Sequence, residues 1–215
     1  MLEVLYEDNH LIAVNKSSGD IVQGDITGDV TLSDKVKLYI KRKYRKPGNV
    51  FIGLIHRLDR PTSGVILFAR TSKCLSRMNE QFRDKKVQKT YWAIVRNIPN
   101  KKTDTLKNYL IKNQKKNKSY ISKEGKLSIL KYNLVRRLHN YYHLEIFPKT
   151  GRHHQIRVQL AHIGCPIKGD LKYGSKRSNK DGGIDLHAYK IEFIHPVTKK
   201  SVSITAPTPN KEIWR

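Results

Sequence analysis

Apolar and polar positions along this chain change over in short blocks, with spacings that fit strands and modest helices. Leu2–Tyr6 and His10–Asn15 are short apolar segments separated by the turn composition Glu7-Asp8-Asn9, which predicts two strands. The polar stretch Ser17–Asp29, with glycines at 19, 24 and 28, predicts a loop. From Ser33-Asp34, read as an N-cap, Val36, Tyr39, Ile40 and Tyr44 recur at helical spacing, and Pro47-Gly48 closes that helix. Two apolar runs, Val50–Ile55 and Val65–Ala69, predict buried strands on either side of His56–Gly64. Ser72 is placed to cap a helix carrying Leu75, Met78 and Phe82, and Val87–Val95 alternates as a strand.

The second half repeats the theme. Residues 101–126 are lysine-rich but keep apolar spots at Leu106, Leu110-Ile111 and Tyr120-Ile121, which predicts short strands joined by exposed basic turns. Leu127–Leu138 and Tyr141–Phe147 alternate as the arms of a hairpin turning near Asn140. A helix is predicted over His153–Ile163, with Ile156, Leu160 and Ile163 as its apolar stripe and Gly164 to end it. Ile184–Phe193 leads to a last strand, Ser201–Thr205. Many strands, three short helices and no strict strand-helix alternation predict an α+β fold with a largely antiparallel sheet. Neither an internal repeat nor a domain-splitting linker interrupts residues 1–215, so a single domain is expected.

Charge then changes the picture. The 215 residues carry 43 Lys and Arg against 18 Asp and Glu, a formal net charge of +25. So basic a chain is expected to attract nucleic-acid phosphates by counterion release. The lysines of residues 35–45 and 101–126 are either a solvated coat or phosphate contacts. No run reaches bilayer length and Met1–Val4 reads as a strand, so neither membrane nor secretion is expected. Cys74 and Cys165 stand alone, which fits a reducing cytoplasm.

Candidate chemistry narrows quickly. His153-His154 with His162, and His139 with His143, lack the acidic or cysteine partners that complete a metal set, so no metal is expected. No phosphate-cradling glycine motif is present, so no nucleotide cofactor is expected. What remains is Asp59, a single carboxylate between Arg57 and Arg60, beside the punctuation of Pro61 and Ser63-Gly64. Read blind, such an Asp is more often a structural ion pair than a catalyst. Tyr91 is either a packed aromatic or a site residue. Arg157, on a row beside the apolar stripe, borders the core without leaving water entirely and needs an anionic partner.

Order along the chain tips that balance. His56-Arg57-Leu58-Asp59 with Thr62-Ser63-Gly64 closely resembles the signature of the RluA-type RNA pseudouridine synthases. Asn15-Lys16 with Gly19 resembles the family's lysine–glycine segment, and Lys89-Thr90-Tyr91 its tyrosine strand. Gly151–Val158 with Gly169-Asp170 and Tyr173-Gly174 resembles the arginine motif, and Leu186-His187-Ala188 with Phe193–Pro196 the closing segment. Three departures stand out: Ser17-Ser18 where a proline is common, His153 where a threonine is usual, and Gln159 where a histidine is common.

The resemblance implies a pseudouridine synthase fold of mixed, largely antiparallel sheet with a few flanking helices, without a separate S4-like module. It implies an isomerase that breaks the uridine N1–C1′ bond, turns the base and rejoins it through C5, with no cofactor. Asp59 would be the essential carboxylate, Arg157 its ion-pair partner and Tyr91 the group that lies against the uracil and assists proton removal from C5. Arg57 would fill the gap left by the flipped base, with His56, Arg152, His154 and Gln155 contacting RNA. Ribosomal or transfer RNA is the expected partner of a cytoplasmic monomer. The rival expectation is a noncatalytic basic RNA-binding or ribosome-assembly protein. A glycosidic-bond hydrolase fits less well, because no second carboxylate is well placed.

Overall fold

A computed structural model of the chain describes residues 2–24 and 28–214, so Met1, Arg215 and residues 25–27 of the expected loop lie outside the described residues. In chain order the strands are β1 (Val4–Glu7), β2 (Leu11–Lys16), β3 (Gly53–Leu54), β4 (Ser63–Ala69), β5 (Gln88–Val95), β6 (Thr103–Asn113), β7 (Lys118–Ile121), β8 (Lys126–Arg137), β9 (Tyr142–Pro148), β10 (Leu186–Ile194) and β11 (Ser201–Thr205). The helices are α1 (Leu32–Lys43), α2 (Ser72–Arg83) and α3 (Gln155–His162). These elements divide between two compact units, Met1–Gln88 with Ala188–Pro209, and Lys89–His187 with Asn210–Arg215.

In the first unit the strands run in the order β1-β2-β4-β10, with β3 also on β4 and β11 on β10. β2 and β4 pair antiparallel from Leu11↔Ala69 to Lys16↔Gly64, and all seven residues of β4 are buried. The run Val65–Ala69 thus behaves as its composition predicts. The run Val50–Ile55 does not: only Gly53–Leu54 forms a strand, and Phe51 is exposed. Gly53 also lies against α2, where a Cβ would sit 2.8 Å from Leu75 Cδ2. That apolar segment meets both the sheet, where Gly53 and Leu54 pair with Ala69 and Phe68, and the α2 helix.

Both helices of this unit start earlier than predicted. Thr31 caps α1 in a reciprocal box, its Oγ1 accepting from Asp34 N–H while the Asp34 carboxylate accepts from Thr31 N–H. Thr71 caps α2, accepting from Cys74 N–H at 3.2 Å. A threonine stands two residues before the first expected cap and one before the second, and Thr31 and Thr71 themselves take the extended backbone that a cap requires.

The second unit holds the sheet β5-β9-β8-β6-β7, every neighbour antiparallel. The lysine-rich stretch forms one long strand and a short partner rather than several short strands. β6 pairs with β8 without interruption from Thr103↔Asn133 to Leu110↔Lys126, and Leu106 and Leu110 alternate inward. Ile156 and Leu160 of α3 pack into a core with Ala93, Val95, Leu130, Tyr132, Leu144 and Ile146. α3 begins two residues later than predicted because His154 takes a left-handed backbone, φ 52°. Gly164 ends it as expected, at φ 75°, with its N–H donating to Ala161 O and Cys165 N–H donating to Leu160 O. The α+β class and the largely antiparallel sheet are as the sequence predicts.

Candidate active site

The loop that carries Asp59 is shaped by a buried lysine. Lys16, last residue of β2, has no exposed surface, and its Nζ donates to Ser17 O at 2.9 Å, Arg60 O at 2.9 Å and Thr62 O at 2.7 Å. Three donors on one compact charge suit three converging carbonyls. The loop closes on itself where Thr62 N–H donates to Asp59 O at 3.0 Å. Further straps tie it to residues 18–19: Gly19 N–H donates to Arg60 O, Arg60 Nε to Gly19 O, and Ser18 Oγ to Pro61 O. Ser18, in the segment where a proline is common, thus has a structural use. Gly64 follows at φ 115°, where a Cβ would lie 2.3 Å from Ala188 O, so only glycine fits.

Burial pushes the Lys16 ammonium down to about 8, while Asp20 and Asp59 push it back up. The loop therefore holds Asp59 half-buried within the field of a cation whose hydrogen bonds are made to backbone. Arg57 points to an exposed position. His56 is turned into the fold: its Nε2 accepts from Leu67 N–H at 3.1 Å and its ring stacks on Phe82 with centroids 5.3 Å apart. It braces β4 and α2. Arg60 faces the exposed carboxylate of Asp29 at 3.4 Å.

In the second unit Arg157 is buried more deeply than expected, 5% exposed against Asp170 at 1%. Its Nε and Nη2 donate to the two Asp170 oxygens at 2.7 and 2.8 Å, a bidentate fork. The Tyr173 ring lies 5.0 Å from the guanidinium carbon. Tyr173 Oη accepts from Ser119 N–H at 2.8 Å and meets His154 Nδ1 at 2.9 Å. His154 is buried and stacked on His153, and burial, then the Arg157 charge, push it down to about 2, so it is neutral. His153, a departure from the family pattern, meets Ser119 Oγ at 2.8 Å through Nδ1.

Gln155 is committed within the fold. Its carbonyl accepts from Thr150 Oγ1 and Arg152 N–H, and its amide donates to Ile129 O. Gln159, a second departure, is also buried and donates to Asn108 Oδ1 at 2.7 Å. Among the residues expected to contact RNA in this unit, Arg152 alone is exposed, while His154 and Gln155 order the loop before α3. Tyr91, half-buried and opposite Ile146, packs against the core that contains Ala93 and Ile156. Burial lowers the Lys89 ammonium, whose Nζ would lie 3.7 Å from a Cβ at Gly151.

Among the described residues no group of three or more His, Cys, Asp or Glu is placed to hold a metal ion, and no helix is long and apolar enough to cross a membrane. A family profile described as RNA pseudouridylate synthase matches residues 10–162. The chain belongs to this family.

Pseudouridylate synthase relatives extend the match almost end to end. The chain is 38% identical over 216 residues, covering 95% of itself, to the ribosomal large subunit pseudouridine synthase C of Buchnera aphidicola subsp. Schizaphis graminum. It is 33% identical over 230 residues, covering 96% of itself and 92% of the relative, to the tRNA pseudouridine synthase C of Haemophilus influenzae. The chain spans 66% of the length of the Buchnera relative. The fold is that of the human RNA pseudouridylate synthase domain containing 4, at TM-score 0.81 and 22% identity over 97% of this chain and 89% of that one. The human domain containing 1 protein gives TM-score 0.78 at 23% identity over 100% and 86%.

Lys16, Lys89, Asp170 and Tyr173 also lie inside the family segments, and that placement is the signal their sequence carries. What the motifs lacked was geometry. Spacing alone does not reveal that Asp170, 13 positions after Arg157, is its carboxylate.

Proposed function

We propose that this chain is an RNA pseudouridine synthase acting on specific uridines of ribosomal or transfer RNA. The observation that carries the reading is the Asp59 loop, fixed by a buried lysine on three carbonyls in a chain of this family. The N1–C1′ bond of uridine breaks, a C5–C1′ bond forms, C5 gives up its proton and N1 gains one. A carboxylate serves this as nucleophile or as stabiliser of charge developing at the sugar, and Asp59 is that carboxylate. Tyr91 lies against the uracil and assists proton removal from C5, and the Arg157 guanidinium keeps the catalytic carboxylate ionised. Arg57 fills the gap when the target base leaves its stack, a displacement that costs a few kcal/mol. Arg152 and the lysines of residues 35–45 and 101–126 hold phosphates. No cofactor enters the balance of atoms, and a monomer in the cytoplasm suffices.

Tritium release from RNA labelled at uridine C5 tests the reading. Asp59→Asn lowers release by about a thousand-fold or more while RNA affinity stays within about threefold, the pattern of a group needed for chemistry rather than binding. Turnover by that variant at the wild-type rate overturns the mechanism. A wild-type protein that binds RNA and releases no tritium makes it a noncatalytic binder.

A further inference from the structure

The outer edge of the second unit carries exposed aromatic and apolar residues that neither the core nor the assigned residues use. Along β6, Leu106 and Leu110 turn inward, and the alternate residues Tyr109 and Ile111 are 51% and 41% exposed. Register sets Tyr120 of β7 opposite Ile111 and Leu127 of β8 opposite Tyr109, and these are 37% and 41% exposed. Tyr109 and Tyr120 are therefore diagonal neighbours on one face, within reach of a single run of stacked rings. Contiguous exposed apolar surface of this kind marks a binding surface more often than plain solvent-facing sheet does.

Charge decides the occupant. Residues 101–131 hold ten lysines against two acidic residues, Asp104 and Glu124. Lys118 holds its Nζ 5.5 Å from the centre of the Tyr120 ring, and Arg152, whose Nε reaches Leu127 O at 3.5 Å, lies beside the Leu127 end. A second copy of a +25 chain would bring like charges together on this face. An unpaired nucleic-acid strand answers both features, its bases offering π-faces to tyrosines and its phosphates lying among lysines. A duplex keeps its bases stacked on one another and answers only the charge.

We infer that the outer face of β6, β7 and β8, centred on Tyr109 and Tyr120, is a stacking platform for an unpaired stretch of RNA. The inference rests on the RNA reading above and adds to it where, and in what form, part of the RNA is held. It places none of the platform residues in the chemistry.

Fluorescence anisotropy with the full chain tests it, using a labelled oligouridylate and an RNA duplex of equal length. Tyr109→Ala with Tyr120→Ala weakens oligouridylate binding about ten-fold, as loss of base stacking does, and leaves duplex binding within about twofold. The slope of log affinity against log salt is unchanged in that double variant, because no phosphate contact is removed. Tyr109→Phe with Tyr120→Phe keeps the wild-type affinity, since the ring is retained. Oligouridylate affinity unaffected by the alanine pair overturns the platform, and so does an equal loss on both RNAs. Self-association of the wild type in sedimentation velocity that disappears in the alanine pair also overturns it, and makes the face an interface between copies. Wild-type protein that binds neither RNA overturns the RNA reading itself. Wild-type binding that the alanine pair matches removes only the platform.

Discussion

Lys16 and Arg157 are both cations buried inside family segments, and the two are held by unlike partners. Lys16 spends its three donors on the carbonyls of Ser17, Arg60 and Thr62. Arg157 lays a flat fork on both oxygens of Asp170. A compact ammonium on backbone oxygens fixes a path of chain, because moving any of the three carbonyls costs a charged hydrogen bond. A guanidinium on a carboxylate fixes the orientation of one side chain. The first unit thus uses its buried charge to shape the loop under Asp59, and the second uses a buried carboxylate to aim an arginine. The electrostatic consequence differs too. Carbonyl dipoles compensate Lys16 only in part, so burial draws it down to about 8, whereas an arginine stays protonated whatever its surroundings.

The largest test removes the arginine's carboxylate. Asp170→Ala takes the bidentate partner from a buried guanidinium and is expected to lower unfolding free energy by about 3–5 kcal/mol, read from urea denaturation. Adding Arg157→Met to that variant recovers a good part of the loss, since much of it is the burden of a buried guanidinium deprived of its bidentate carboxylate. A loss below about 1 kcal/mol, or no recovery in the double variant, would mean that the fork does not anchor Arg157.

Lys16 is expected to behave differently, and pH separates the two. Its pKa falls from 10.5 to about 8 on folding. Between those values the unfolded chain holds a proton that the folded chain has released, so stability rises with pH across this window. The cost of burying the charged lysine is fully present below pH 8 and is lifted by about pH 10.5. In Lys16→Met that rise is absent. Raising the pH from 7.5 to 10 should therefore move the stability gap between wild type and variant by about 2 kcal/mol in favour of wild type. Paired urea titrations at the two pH values measure it. A gap that stays constant, or moves toward the variant, contradicts the account of a charge held on carbonyls at an energetic cost.

Both cations show where sequence stops being legible. β4 was readable because five apolar residues in a row have few ways to be satisfied other than full burial. Val50–Ile55 has much the same composition, yet it packs through Gly53 on Leu75, and which partner an apolar segment chooses is a tertiary fact. The caps slipped by one or two residues because Thr31 and Ser33, or Thr71 and Ser72, offer the same chemistry, and backbone dihedrals choose between them. Within the site, Asp59, Arg157 and Tyr91 could be singled out through the family segments, but His56 and Gln155 carry polar groups that look outward-facing in a string of letters. In the fold His56 accepts from Leu67 N–H and Gln155 ties Thr150 to Ile129. Burial of Lys16 was the hardest to foresee, because a lysine is buried whole only when several acceptors converge on it.

The smallest test asks whether the Arg157 surroundings depend on the fork or on the tyrosine beside it. Tyr173→Phe keeps the ring 5.0 Å from the guanidinium carbon but deletes the hydroxyl that meets Ser119 N–H and His154 Nδ1. Those groups are buried, so the loss should be about 1–2 kcal/mol, the cost of leaving a donor and an acceptor poorly satisfied. It should also be additive with Lys16→Met, because the hydroxyl's bonds to Ser119 and His154 involve none of the carbonyls of Ser17, Arg60 and Thr62 that hold Lys16. Urea denaturation of both single variants and the double measures the two quantities together. If Tyr173→Phe cost as much as Asp170→Ala, the arginine would be anchored by the Ser119–Tyr173–His154 chain of hydrogen bonds. Both buried cations would then be held mainly by networks that reach the backbone, and the contrast between a shaped loop and an aimed side chain would not survive.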